Sequence, residues 1–227
     1  MSYDRTLTRV ETYFDRTATE TWARLTSDAP VSKIRETVRR GRAEMRAELL
    51  SLLPSDLHGA RVLDAGCGAG QMTLELAARG AEVVAVDISP SLIALAEKRL
   101  PVNLHGRVAF RAGDMLDARL GHFDHVIAMD SLIYYDAEDI AAALELWQGR
   151  CRGSIGFTVA PRTMMLMAMW RIGQLFPSSD RSPTMIPQTQ AAIKRALEEF
   201  RVPVRLTAHK RVRSGFYISQ AMEVTHW

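Results

Sequence analysis

The stretch that most constrains this chain is "RVLDAGCGAGQMTLELAARG", Arg61 to Gly80. A β-rich apolar run stops at a glycine turn, and the turn opens into a helical segment that Gly80 ends. The unit then repeats. "EVVAVD" reads as a second strand, and "SPSLIALAEKRL" as a helix with Ser89 as its cap and Pro90 at its first position. "RVAFRAGD" and "HFDHVIAMDSL" read as strands three and four with little helix between them. "DAEDIAAALELW" is helical, with Ile140, Leu144 and Trp147 on one side, and "RGSIGFTVA" is strand five. Such alternation predicts an α/β fold, a mostly parallel sheet with helices on both faces. A late helix, "QAAIKRALEEF", and two strands near "VPVRLTAHKRV" and "GFYISQAMEV" fit an antiparallel addition at the sheet edge.

Residues 1–56 have a different periodicity. Val10, Phe14, Ala18, Trp22 and Leu25 recur every three or four residues and form one apolar helical stripe. After a break at "SDAP", Ile34, Val38, Met45, Leu49 and Leu52 form a second. Gly41 interrupts that face at a cost of about 1 kcal/mol relative to alanine, so a crossing helix or a ligand is expected close by, with helix packing favoured. The expected organisation is a helical arm over 1–56 and a core over 57–227, with an insertion at 161–190.

Composition narrows the function. With 47% hydrophobic residues in 227, the chain buries a full core without disulfides. Cys67 and Cys151 read as reduced thiols, and the six histidines do not cluster, so no protein metal site is expected. A net charge of +3 gives little footing for a nucleic acid. The N-terminal "MSYDRTLTRVETYF" lacks a signal-peptide core, which makes a cytoplasmic location the expectation. In "APRTMMLMAMWRIGQLFP", eight uncharged residues from Thr163 to Trp170 include four methionines. That run is far short of the roughly 20 apolar residues of a membrane span.

The glycine turn "VLDAGCGAG" is expected to bring backbone N–H groups close to a ligand. It is not a dinucleotide fingerprint, because the third glycine falls one place early, at Gly70, and Gln71 fills its slot. Asp64 stands where a pyrophosphate would lie, so it repels a diphosphate and attracts a cation. The expected cofactor therefore carries an ammonium group and no phosphate. Asp87, ending strand two, suits a ribose diol, and Asp114, in "AGDM", suits an adenine amino group. The competing reading of each acid is a helix N-cap, which does not explain all three. Acids at three successive strand ends with a glycine turn resemble the class I S-adenosylmethionine-dependent methyltransferases, Rossmann-like in fold. That resemblance implies S-adenosylmethionine held by Asp64, Ala65, Gly66, Gly68, Gly70, Asp87, Ile88, Asp114, Met115 and Met129, and S-adenosylhomocysteine as product. Nucleic-acid amino-methyltransferases usually carry [DN]-P-P-[YFW] after strand four; here that place reads "MDSLIYY", which excludes them.

The ordered set "YFDRTATETWARL", "VRRGR", "MDSLIYY", "FTVAPRT", "WRIGQLFP" and "GFYIS" is similar to the magnesium-protoporphyrin IX O-methyltransferases of chlorophyll and bacteriochlorophyll synthesis. The likeness covers essentially the whole chain. It implies methyl transfer to one propionate of the magnesium porphyrin, with magnesium only as part of the substrate. The Met-rich segment then reads as a lid over a flat apolar disc, through Met164, Met167 and Trp170. Arg162, Arg171 and Arg181 are candidate carboxylate partners. Without the likeness, the segment reads as a core helix or dimer contact. A propionate is already ionised, so no general base is expected. Two positions depart from the family: Tyr134 stands where histidine is frequent, and Thr26 where plants and cyanobacteria carry tyrosine. Both are taken as positioning residues. The likeness also implies hand-over from the porphyrin-binding subunit of magnesium chelatase and peripheral association with photosynthetic membranes. The basic strip "RVPVRLTAHKRVR" reads first as a solvated edge strand. Rival functions are a methyltransferase for another hydrophobic molecule, such as a quinone precursor, and a non-catalytic porphyrin carrier.

Overall fold

The protein is described from a computed structural model, over residues 3–13, 33–163, 167 and 185–226. Helix α1 spans Tyr3–Tyr13 and α2 spans Lys33–Ser51. The core then alternates β1 (Arg61–Ala65), α3 (Gln71–Ala78), β2 (Glu82–Asp87), α4 (Pro90–Arg99), β3 (Val108–Ala112), β4 (His125–Ala128), α5 (Ala137–Gln148) and β5 (Ile155–Val159). Helix α6 (Gln190–Glu199) and the long hairpin β6 (Val204–Ser214) and β7 (Tyr217–His226) complete it. The seven strands lie in the order β3-β2-β1-β4-β5-β7-β6. Pairing is parallel from β3 to β5, whereas β7 runs antiparallel to both β5 and β6. The basic strip is β6 itself, the edge strand, with Lys210 paired to Glu44 and His209 to Glu223.

The apolar runs are long because both sheet faces are covered. Val62, Ala85 and Ile127 point to a cluster with Met45 and Leu49 of α2 and Leu76 of α3. Their neighbours Leu63, Val84 and Val126 join Ile140, Leu144 and Trp147 of α5 and Ile193 of α6. Local chemistry sets the helix starts. Ser89 Oγ accepts from Leu92 N–H at 3.3 Å ahead of Pro90. Asp136 accepts from Asp139 N–H at 2.9 Å, and Thr189 from Ala192 N–H at 3.1 Å.

The structure differs from the sequence reading in several places. Strand four ends at Ala128, and the following "SL" enters a 3-10 turn, Leu132–Tyr134. A further 3-10 turn, Val102–Arg107, precedes β3 and has no apolar periodicity to reveal it. What crowds Gly41 is neither helix nor ligand but the β6–β7 hairpin: a Cβ there would meet Tyr217 Cδ1 at 2.6 Å and Ser214 Cβ at 3.0 Å. The two ends of segment 161–190 are stitched together. Gln188 N–H donates to Ala160 O at 2.8 Å and Arg162 N–H to Gln188 O at 3.1 Å, so the chain leaves and re-enters at one place. Among the described residues, no helix is long and apolar enough to cross a membrane.

Candidate active site

Strand β1 has β2 on one side and β4 on the other, so the strand order reverses there. In an open α/β sheet, the carboxyl ends of the strands at such a reversal leave a crevice. An open cavity of about 690 Å³ lies there, walled by Gly66 and Gly68 after β1, Val86, Asp87 and Ile88 at β2, Gly113 and Met115 after β3, and Met129, Asp130, Ser131, Tyr134 and Tyr135 after β4. Leu92 of α4, Arg42 of α2, and Leu7 and Val10 of α1 close it. A second cavity of about 440 Å³ adjoins it beneath the glycine turn. It shares Arg42, Gly66, Gly68, Leu92 and Met129 and adds Arg46, Asp64 and Gln71 among others.

The glycine turn does not work as expected from the sequence. Gly66 and Cys67 donate their N–H groups to Val86 O at 2.8 and 2.9 Å, Gly68 to Asp87 Oδ2 at 2.8 Å, and Gly70 to Cys67 O at 3.0 Å. With these donors consumed internally, the turn is no phosphate cradle. What it offers is room, since Gly68 has φ +54 and a Cβ there would meet nothing within 4 Å. Gly70 serves packing instead: its Cβ would press on Ala96 Cβ at 3.0 Å, so α3 and α4 approach closely there. Ala65 is buried in β1 and lines neither cavity.

The three strand-end acids have different surroundings. Asp64, 1% exposed, accepts from Thr73 Oγ1 at 2.5 Å, and burial raises its carboxyl pKa to about 7 against that hydrogen bond. Asp87 lines the larger cavity, and its oxygens accept from the N–H groups of Gly68 and Ser89. Burial raises its pKa too, with both N–H groups opposing. Asp114 lines neither cavity: it accepts from Tyr3 Oη at 2.7 Å and from Leu116 N–H at 2.9 Å. Tyr3 also stacks on Tyr135, with centroids 5.0 Å apart. Thus α1 occupies the acid assigned to adenine.

Asp130 lines the cavity beside Met129, as the "DSL" after strand four is expected to, but the partners it gathers were not legible in the sequence. Its carboxylate accepts from Arg42 Nη1 at 2.5 Å, Tyr217 Oη at 3.0 Å and Thr158 Oγ1 at 3.2 Å, and its own N–H donates to Thr158 Oγ1 at 2.8 Å. These contacts hold Asp130 at φ 57, a left-handed conformation unusual outside glycine. Gly41, beside Arg42, was the one signal of this convergence. Tyr134 is buried in the cavity wall, and burial first, then Asp130, pushes its phenol pKa above its ordinary value. Cys67 fits as a small buried residue in the turn, its thiol pKa raised by burial. Arg162 is exposed and Met167 half-buried, and neither lines either cavity. Thr26, Met164, Trp170, Arg171 and Arg181 lie outside the described residues.

Known proteins resemble this chain in sequence and in fold. The family profile "Magnesium-protoporphyrin IX methyltransferase C-terminus" matches residues 128–226, and a general methyltransferase-domain profile matches 62–152. The magnesium-protoporphyrin O-methyltransferase of Rhodobacter capsulatus is 56% identical over 95% of this chain and 94% of its own. The chloroplastic magnesium protoporphyrin IX methyltransferase of Arabidopsis thaliana is 28% identical over 94% of this chain and 69% of its own. A crystal structure of magnesium protoporphyrin IX methyltransferase from Synechocystis PCC 6803, with bound S-adenosylhomocysteine, superposes with a TM-score of 0.83. It is 27% identical and covers 97% of this chain and 99% of that one. The fold is the Rossmann-like class I methyltransferase fold, and the chain belongs to the magnesium-protoporphyrin O-methyltransferase family.

Proposed function

We propose that this protein transfers a methyl group from S-adenosylmethionine to a propionate carboxylate of magnesium protoporphyrin IX, giving the monomethyl ester. The observation that carries this reading is the 56% identity to a magnesium-protoporphyrin O-methyltransferase over nearly all of both chains. The cavity fits the cofactor. Gly68 and Gly113 line it, and a Cβ on either would meet nothing within 4 Å, while Asp87 presents a carboxylate and Ile88, Leu92 and Met115 an apolar wall.

When bound, S-adenosylmethionine supplies an electrophilic methyl group on a sulfonium. The chain's residues then have to place a carboxylate oxygen in line with that group. The apolar side chains of Leu7, Val10 and Met129 keep water away while anion and cation become a neutral ester and thioether. Positioning supplies most of the remaining acceleration. Tyr134 stays protonated in this wall, so its phenol donates to a carboxylate rather than taking a proton. Tyr134 and Thr26 are carried as positioning residues. Segment 161–190, with Arg162, Met164, Met167, Trp170, Arg171 and Arg181, is the proposed cover of the porphyrin. The basic edge strand β6 is the surface proposed to meet the porphyrin-delivering chelatase subunit or an anionic membrane.

Incubation with methyl-labelled S-adenosylmethionine and either magnesium protoporphyrin IX or the metal-free porphyrin tests this. Label in a base-labile ester of the magnesium porphyrin is expected. Tight porphyrin binding without label would replace the enzyme by a carrier, and neither binding nor label would turn attention to quinone-like substrates.

A further inference from the structure

The larger cavity has to receive a carboxylate, yet acids outnumber cations on its wall. Among the described residues that line it, Asp87 and Asp130 are acidic and Arg42 is the one cation. Arg42 belongs to α2, and its Nη1 donates to Asp130 Oδ2 at 2.5 Å. Both groups also act on the Tyr134 phenol: burial and then Asp130 raise its pKa, and Arg42 lowers it. Guanidinium, carboxylate and phenol therefore share one patch of wall. Asp130 does not depend on Arg42 alone, because Tyr217 Oη and Thr158 Oγ1 donate to it at 3.0 and 3.2 Å. Its carboxylate thus stays in place and hydrogen-bonded when the guanidinium takes a second partner. A guanidinium has five N–H donors in a planar fork, more than one carboxylate uses. One residue on, Ser131 lines the cavity too, and its Oγ is buried with no hydrogen-bond partner among the described residues. A buried hydroxyl left so calls for an acceptor from outside the chain.

We propose that Arg42 holds the reacting propionate, with Asp130 as its counterion whenever that propionate is absent or esterified. The proposal rests on the methyltransferase reading above and deepens it. Arg42 borders both cavities, so a carboxylate bound to it lies beside the glycine turn and the cofactor, which makes it the reacting one. Its arrival draws the guanidinium into a chain of Asp130, Arg42 and propionate, with Ser131 Oγ as a further donor. One carboxylate oxygen then bonds to the methyl carbon, the carbon–sulfur bond breaks, and its electron pair stays on sulfur. The propionate leaves this step as a neutral ester, a poor match for a guanidinium, and Arg42 falls back on Asp130. Charge thus favours substrate over product at one site, and release of the ester follows. Asp130 acts through Arg42 and is a positioning residue.

Fluorescence titration with magnesium protoporphyrin IX, its monomethyl ester product and its dimethyl ester, S-adenosylhomocysteine being present, tests this. Diacid against monoester reads the reacting propionate, and monoester against diester reads the other. Wild-type protein is expected to prefer the diacid to the monoester by about 10- to 100-fold, the usual worth of a charge-assisted bond. R42M is expected to bind the two equally, and R42K to recover part of the preference, since lysine lacks the planar fork. R42M leaves Asp130 without its cation, so the double variant R42M/D130N, which removes both charges, answers in its place if thermal unfolding shows R42M misfolded. D130N keeps the guanidinium but not its anchor, so the preference is expected to stay while kcat falls; an unchanged kcat denies Asp130 its part. S131A is expected to narrow the preference, and an unchanged ratio removes Ser131 from the site. A folded protein without Arg42 that still prefers the diacid overturns the proposal. So does one in which only the monoester–diester preference falls, or wild-type protein with no preference at all. Wild-type protein that binds none of the three porphyrins overturns the substrate assignment itself.

Discussion

Gly66 and Gly68 stand two residues apart in one turn, yet an added methyl group meets different surroundings at each. Both have positive φ, +77 and +54, so alanine at either costs about 1–2 kcal/mol of backbone strain. At Gly66 the methyl also runs into the Ser131 side chain, adding roughly 1–3 kcal/mol of overpacking. At Gly68 it enters open room. G66A is therefore expected to lower stability clearly in urea unfolding. G68A is expected to lose only that backbone strain, about 1–2 kcal/mol, but at least about tenfold in S-adenosylhomocysteine affinity by calorimetry, because the methyl takes cofactor space. Equal effects of the two would mean that the room beside Gly68 holds no ligand. Asp64 adds a pH dependence. Its folded pKa of about 7 lies above an unfolded value of about 3.9. Between those limits the folded state keeps a proton that the unfolded chain has shed. Stability from this group is thus full below about pH 4, falls as pH rises towards 7, and is flat above. Asp87 is shifted the same way. Urea midpoints at pH 5 and pH 8 should lie closer together in D64N than in wild type. An unchanged gap would exclude Asp64 as its source.

At the scale of elements, α2 and the β6–β7 hairpin meet through glycines. Gly41 lies against Tyr217 and Ser214, and Gly215 against Thr37. Ser214 Oγ donates to Thr37 O at 2.7 Å and accepts from Arg40 Nε at 3.3 Å. Alanine at Gly41 would gain about 1 kcal/mol of helix propensity, but its methyl would need the Tyr217 ring to move. That ring is held at its far end by Asp130, so overpacking of roughly 1–3 kcal/mol outweighs the gain. G41A is expected to be destabilised, whereas in a Y217A background the same change becomes neutral or stabilising. A double-mutant cycle in urea reads the difference directly. Legibility follows from this geometry. Strand–turn–helix units, the cap at Ser89, and the ends of β1 and β2 depend on neighbours within a few residues, so the sequence carries them openly. The Gly41 anomaly was visible, but its partner was not, because Tyr217 approaches through tertiary packing. The end of β4 was misplaced because "DSL" looks equally good as strand or turn.

Across the whole molecule, the site is assembled by contacts that no local pattern encodes. Arg42 and Asp130 are 88 residues apart, Tyr217 and Asp130 87, and Tyr3 and Asp114 111. The sequence therefore put three acids at strand ends, of which Asp87 lines the larger cavity and Asp64 the smaller, but it did not show which side chains of α1 and α2 wall them. The two helices contribute unequally to the fold. Helix α1 buries Val10 and Thr6 and otherwise supplies cavity lining through Leu7 and the latch from Tyr3 to Asp114. Helix α2 and the turn after it bury Met45, Leu49, Leu50 and Leu53, in one cluster with Val62, Ala85 and Ile127. At about 1.5–3 kcal/mol for each large apolar side chain, those four amount to roughly 6–12 kcal/mol, comparable to the whole stability of an ordinary domain. A protein lacking residues 1–13 is thus expected to keep its far-UV circular dichroism and a cooperative melt while its affinity for S-adenosylhomocysteine and porphyrin falls. One lacking residues 1–56 is expected to lose the cooperative melt altogether. A stable, cooperatively melting 57–227 fragment would show that α2 is an appendage and not a wall of the core. The cavity wall at Arg42 would then have to be held in place by something other than core packing.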